Sequence, residues 1–132
     1  MRQASKEKKL KKVLVVDDDS KMRTVLSEFL RKNYNIQIIE AENGLDAISK
    51  TFKNKYCSVI SDLEMPEMNG IEFMGYLRTK SEFDKVPKFI LTSNRKIICK
   101  ERAKIIGINA FLSKPFKSKE LKKHFDKIFE FI

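Results

Sequence analysis

Long apolar runs are missing from this sequence. None approaches the roughly 18 consecutive apolar residues a membrane-spanning helix needs, and the opening MRQASKEKKLKK lacks the apolar segment of a signal peptide. These absences set the membrane aside as a partner and make the cytoplasm the expected location. Cysteine is scarce: Cys57 and Cys99 stand far apart, each among apolar residues, without metal-ligand spacing. Two small buried thiols are expected. Histidine occurs once, at 124, three positions after Leu121 and four before Ile128. It sits beside an apolar helix face, so a half-buried packing residue is expected and no phosphodonor. With no zinc pattern and no Cys–His pair, neither cysteine suggests catalysis. Internal linkers and low-complexity segments are absent too.

What is present describes one soluble domain. The chain has 132 residues, 42% of them hydrophobic and 35% charged, enough to bury a core and too apolar for disorder. Its net charge of +10 is uneven: residues 1–12 carry +5 and residues 114–132 carry +3. A basic extension over 1–12 and a domain over 13–132 are the expected divisions. Such charge suits nucleic acid or acidic protein surfaces, but few aromatics interleave with it, so a solvated tail and helix face are favoured and nucleic acid is disfavoured as a partner.

Short apolar runs alternate with helix-period segments. VLVV (13–16) reads as a strand buried on both faces. Met22, Val25, Leu26, Phe29 and Leu30 then mark one helical face, with Asp19 or Ser20 as N-cap. IQIIEA (36–41) is a second strand, and Asn43-Gly44 turns into a helix presenting Leu45, Ile48 and Phe52. CSVIS (57–61) is a strand, and PEMNG (66–70) leads to a helix with Ile71, Met74 and Leu77. FILTS (89–93) is a strand, followed by a weaker helix around Ile98 to Ile105 that Gly107 and Asn109 end. AFLS (110–113) is the fifth strand, and Ser118 caps a last helix showing Leu121, Phe125, Ile128, Phe129 and Ile132. Strand–helix alternation of this kind predicts an α/β fold, a doubly wound five-stranded parallel sheet with helices on both faces.

Right-handed crossovers make all the strands point one way, so their C-termini share an edge where open α/β sheets bind ligands. Strand one ends in Asp17, Asp18 and Asp19, strand three in Asp62, strand four in Thr92-Ser93 and strand five in Lys114-Pro115. In the order 2-1-3-4-5, strands one and three are neighbours, and Asp17, Asp18 and Asp62 crowd together. Three close carboxylates need counter-charge. Lys114 supplies one positive charge, and oxygen-only ligands in a small open site suit Mg²⁺ for the rest. A carboxylate so placed, with a Lys and a Thr hydroxyl nearby, is equipped to attack phosphorus and form an aspartyl phosphate. Asp19 is then left as the helix start.

The stretches VLVVDDD, SVISDLEMPEMNGIEFM, FILTS and INAFLSKPF, in that order over about residues 11–132, resemble the receiver domain of two-component response regulators, most closely the stand-alone chemotaxis-type receivers. The resemblance implies a flavodoxin-like fold. It implies that Asp62 is the phosphoacceptor, served by a sensor histidine kinase or phosphotransfer protein. Asp18, Asp62 and the backbone carbonyl of Glu64 would bind Mg²⁺ directly, and Asp17 through a water. Lys114 would pair with Asp62 and then with the phosphate. Thr92 would move to the phosphate and Phe111 would turn inward, reshaping a surface made by helix 4, strand 5 and helix 5 for a downstream protein target. Glu64 and Asn94 stand where the family tunes access of water, and Lys114-Pro115 would be cis. Such a protein catalyses only its own phosphorylation and dephosphorylation. Position 111 is Phe where chemotaxis regulators commonly carry Tyr, which removes any hydroxyl contact with a partner. No helix-turn-helix or enzymatic domain follows in the sequence, so the expected output is partner binding or onward phosphotransfer.

One other chemistry fits part of the pattern. Asp17 to Lys21, DDDSK, also reads as D-x-D-x-K after an apolar strand, as at the start of haloacid-dehalogenase-type phosphohydrolases. Those usually carry Thr or Val where Lys21 stands, and the later acidic pair they keep is missing.

Overall fold

The computed structural model of the chain describes residues 10–94 and 100–131. Expectations placed on Ile98, Cys99 and Ile132 lie outside the described residues, as do residues 1–9. Five strands, β1 (Lys11–Val16), β2 (Ile36–Ala41), β3 (Ser58–Asp62), β4 (Lys88–Thr92) and β5 (Ala110–Ser113), form a parallel sheet in the order β2-β1-β3-β4-β5. The described helices are α1 (Ser20–Asn33), α2 (Gly44–Thr51), α3 (Gly70–Arg78), α4 (Lys100–Ile106) and α5 (Ser118–Phe125). The sheet, its order and its helix alternation are as the sequence implied.

The continuous apolar runs explain the layering. Successive strand residues point to opposite faces, so a run such as Val13–Val16 feeds two cores at once. Val13 and Val15 pack with Leu26, Leu30 and Phe125 under α1 and α5. Leu14 and Val16 pack with Ala47, Phe73, Leu77 and Ala103 under α2, α3 and α4. His124 is half-buried, with its ring centroid 5.3 Å from that of Phe89. Burial, with the charges of Lys123 and Lys127, holds its pKa below the usual value. Cys57 is half-buried against the first core, less enclosed than expected.

Three local expectations need correction. Val25 on α1 is 52% exposed, because the helix turns Leu26, Ser27 and Leu30 to the sheet. On α2, Leu45 and Phe52 face outward and Gly44, Ala47 and Thr51 are buried instead, while Ile48 is half-buried against the second core as expected. The small residues win because α2 approaches the loop before α3 closely: a Cβ on Gly44 would lie 2.6 Å from Met68 Sδ. In α5, Ser118 is the first helical residue, and Lys117 occupies the N-cap without a side-chain hydrogen bond. That helix ends at Phe125, and Phe129 reaches the core from the following turn. The remaining choice at α1 resolves to Asp19, whose carboxylate accepts from the backbone N–H groups of Lys21 and Met22.

Candidate functional site

The site is built where three strands end. β1 and β3 are hydrogen-bonded neighbours, with Val16 opposite Ser61, so the residues that follow each of them meet. Asp17 and Asp62 are both nearly fully buried, and Asp18 is exposed. One carboxylate oxygen from each of the three lies within 4.8 Å of the others. β5 delivers Lys114, whose Nζ donates to Asp62 Oδ2 at 2.7 Å and stands 3.6 Å from Asp17 Oδ2. The Lys114–Pro115 peptide is cis, and the Lys114 backbone N–H donates to the Thr92 carbonyl at 3.0 Å. An open cavity of about 420 Å³ runs beside this cluster, lined by Thr92, Ser93, Ser113, Lys114, Pro115, Phe116 and Lys117.

Electrostatics favours an added cation. Burial raises the Asp62 carboxyl above its ordinary pKa, against the hydrogen bond and charge of Lys114 that pull it down. Burial likewise raises Asp17, partly offset by the Asp19 N–H that donates to its Oδ1 at 2.9 Å and by Lys114. For Lys114, burial alone would lower the ammonium, but Asp62, Asp17 and Asp18 outweigh it and the pKa rises. Three carboxylates against one ammonium leave an excess of negative charge in a half-enclosed pocket. All the donors are oxygen, so the residues fit a hard divalent cation such as Mg²⁺.

A pH dependence follows. A carboxyl raised in the folded state binds more protons there than in the unfolded chain, over the interval from 3.8 up to its raised value. These two groups therefore lend the metal-free protein more stability as pH falls through that interval, and less toward neutrality. Thermal melts in chelator at successive pH values are expected to show this contribution, flattened in Asp17→Asn. Added Mg²⁺ should reverse it, because the ion competes with protons for the same oxygens.

Thr92 is buried at the end of β4, and its Oγ1 donates to the Asn94 carbonyl at 3.2 Å and accepts from the Asn94 N–H at 3.1 Å. Phe111 is half-buried on β5, against the core beneath α4. The Glu64 and Asn94 side chains are exposed in the loops after β3 and β4. The structure thus brings Asp17, Asp18, Asp62 and Lys114 into contact, puts Thr92 at the same mouth, and leaves Phe111 behind it.

Two supporting residues escaped the sequence reading. Arg23 donates from Nη1 to the Asp17 carbonyl at 2.6 Å and from Nε to Glu40 Oε1 at 2.9 Å, tying the acidic turn to the end of β2. Its signal was a cation in a helix's first turn, where the macrodipole disfavours one. Gly70 donates to the Leu63 carbonyl at 2.8 Å, and a Cβ there would clash with the Asp62 carbonyl oxygen and reach within 2.9 Å of Ile90 Cδ1. Asn69 and Glu72 form a capping box around it. Gly70→Ala is expected to cost about 2 kcal/mol of stability by forcing these backbones apart. Urea denaturation measures it, and an unchanged midpoint would contradict the contact.

A family model for the response regulator receiver domain matches residues 13–126. The chain belongs to that family. This receiver shares 34% identity over 119 residues with the chemotaxis protein CheY-3 of Vibrio cholerae, covering 90% of the chain and 92% of the relative. With the chemotaxis protein CheY homolog of Campylobacter jejuni it shares 32% over 121 residues, covering 89% and 91%. The histidine kinase P4 of Formosa agariphila matches over 94% of this chain at 33% identity, but this receiver spans only 9% of that protein. Among solved structures, CheY4 of Vibrio cholerae superposes with a TM-score of 0.81 at 30% identity, over 92% of this chain and all of that one. The match is thus to single-domain, CheY-like regulators along nearly their whole length. The phosphohydrolase reading of Asp17 to Lys21 is not favoured: the family is a different one, and Lys21 is exposed.

Proposed function

We propose that this receiver accepts a phosphoryl group on a carboxylate oxygen of Asp62 from a phosphohistidine on a sensor histidine kinase or phosphotransfer protein. The observation that carries the reading is the buried Asp62 carboxylate, held by Lys114 at 2.7 Å within a cluster of acids. Asp62 attacks phosphorus, the P–N bond of the donor breaks, and the imidazole leaves with its electron pair. Asp18, Asp62 and the Glu64 carbonyl would hold Mg²⁺, with Asp17 acting through a water, and the ion supplies positive charge that offsets the phosphoryl oxygens. Lys114 passes from the carboxylate to the new phosphate. The Thr92 hydroxyl leaves the Asn94 backbone to donate to the phosphate, and Phe111 turns inward behind it. The surface of α4, β5 and α5 then favours a second arrangement that a downstream protein target reads, a population shift.

Glu64 and Asn94 flank the path of attacking water and set how long the aspartyl phosphate lasts. In this scheme the protein acts only on its own carboxylate, adding and losing phosphate, in the cytoplasm; no described helix is long and apolar enough to cross a membrane. Incubation with acetyl phosphate and Mg²⁺, followed by intact-mass spectrometry and peptide mapping, tests the proposal. One phosphate on the peptide containing Asp62 is expected, and none when Mg²⁺ is chelated before acetyl phosphate is added. An unlabelled wild type would overturn it.

A further inference from the structure

The turn between β1 and α1, which carries two of the three acids, is held at its backbone by a side chain from α1. Asp17 makes a last ladder bond to β2, its N–H donating to the Ala41 carbonyl at 3.1 Å. Since β2 ends at Ala41, the Asp17 carbonyl lies past the ladder. Arg23 Nη1 donates to that carbonyl at 2.6 Å, while Nε donates to Glu40 Oε1 at 2.9 Å. The Arg23 side chain is only 17% exposed. Glu40 is anchored in turn, because its carbonyl accepts from Lys50 Nζ at 2.6 Å. Asp17 Oδ1 accepts from the Asp19 N–H, and the Asp19 carbonyl accepts from the Arg23 N–H at 2.9 Å. Both neighbours of Asp18 are therefore fixed. Asp18 is the one exposed acid of the cluster, so little packing holds its carboxylate and the backbone beside it sets where it points. A planar peptide makes this coupling stiff: fixing the Asp17 carbonyl oxygen also fixes the N–H and Cα of Asp18.

We propose that Arg23 is a positioning residue that clamps the Asp17–Asp18 peptide and thereby sets the site's preference for Mg²⁺ over Ca²⁺. The inference rests on the reading of the acids as a metal site. The guanidinium bonds to the Asp17 carbonyl, and Glu40 matches its charge, so its part is geometric. Mg²⁺ demands nearly octahedral oxygens at about 2.0–2.1 Å, whereas Ca²⁺ accepts oxygens at about 2.3–2.6 Å in flexible arrangements. A loosened turn that lets the Asp18 carboxylate wander therefore costs Mg²⁺ more than Ca²⁺. The flat guanidinium holds its two acceptors in fixed directions at once, which the flexible point charge of a lysine does not.

Calorimetric titration of the full chain with each ion, at constant ionic strength, tests the proposal. Arg23→Met keeps most of the stem and removes both donors. Its Mg²⁺ affinity is expected to fall at least about tenfold, and its Ca²⁺ affinity by less than about threefold. Arg23→Lys should shift the ratio in the same direction, since charge without the fork does not clamp. Glu40→Gln is the control: it removes charge but leaves an acceptor for Nε, so both affinities should move together and their ratio stay unchanged. Loss of fold in Arg23→Met would lower both affinities equally, and a purely electrostatic Arg23 would raise both equally on removal. Either result leaves the ratio of the two ions unchanged and overturns the proposal. Full rescue by Arg23→Lys would overturn it too, leaving only a charge effect. Wild-type protein that binds neither ion would overturn the metal reading itself, and this proposal with it.

Discussion

Asp62→Asn is expected to take up no phosphate from acetyl phosphate under conditions that label the wild type. The amide keeps the shape of the carboxylate and offers Lys114 the same carbonyl oxygen, but it lacks the anionic nucleophile. Loss of labelling alone could reflect a damaged fold, so stability must be read beside it. Here the direction is informative. Burial raises the Asp62 carboxyl despite the 2.7 Å bond to Lys114, so the ionised form is penalised in the metal-free protein. A neutral side chain removes that penalty and relieves Asp17, which faces the same charge. In chelator at neutral pH the variant should therefore melt no lower than the wild type, while its affinity for Mg²⁺ falls at least about tenfold with one oxygen ligand weakened. A labelled variant would move the nucleophile elsewhere in the cluster, with Asp17 the first suspect. A variant melting well below the wild type would instead show that the Asp62 ion pair stabilises the fold more than burial penalises it.

The parts of this architecture legible in the sequence are those in which one residue's character decides the outcome. Strands buried on both faces must be apolar throughout, so Val13–Val16 and Phe89–Leu91 announce themselves. Once the five strands are ordered, handedness carries Asp17, Asp62, Thr92 and Lys114 to one edge without further information. Where two sides of one element compete, sequence pattern says less. The α2 helix has a large apolar stripe and a small one, and hydropathy favours Leu45, Ile48 and Phe52. The fold buries Gly44, Ala47 and Thr51 and keeps only Ile48 of the larger stripe against the core, and Met68 comes close to Gly44. Arg23 and Gly70 stayed hidden for a related reason. Both act on backbone carbonyls, of Asp17 and Asp62, and a carbonyl has no residue identity to read.

Lys114→Met separates the two tasks given to the ammonium, and its effects should run in opposite directions. Without metal, Lys114 is the positive charge in contact with Asp62 and near Asp17. Breaking a buried pair by removing one partner commonly costs 3–5 kcal/mol. The Lys114 side chain retains 22% exposure, which screens part of the interaction, so a loss of about 2 kcal/mol at neutral pH in chelator is expected. The loss should shrink as pH falls, since Asp17 and Asp62, raised further without the ammonium, take up protons in the folded state and protons replace the missing charge. The pKa of Lys114 itself is raised, so the ammonium stays charged throughout this interval and already offsets part of the carboxylate charge, and the wild type gains less on acidification than the variant does. Mg²⁺ should bind the variant about tenfold more tightly, because a competing cation has left the pocket. Phosphate uptake should nevertheless slow and the conformational response should fail, since no ammonium remains to move onto the phosphate and hold it against β5. Urea denaturation at two pH values, calorimetry with Mg²⁺ and acetyl phosphate labelling read the three effects separately. Stability and Mg²⁺ affinity both unchanged would mean that Lys114 neutralises nothing in the resting site and acts on phosphate alone.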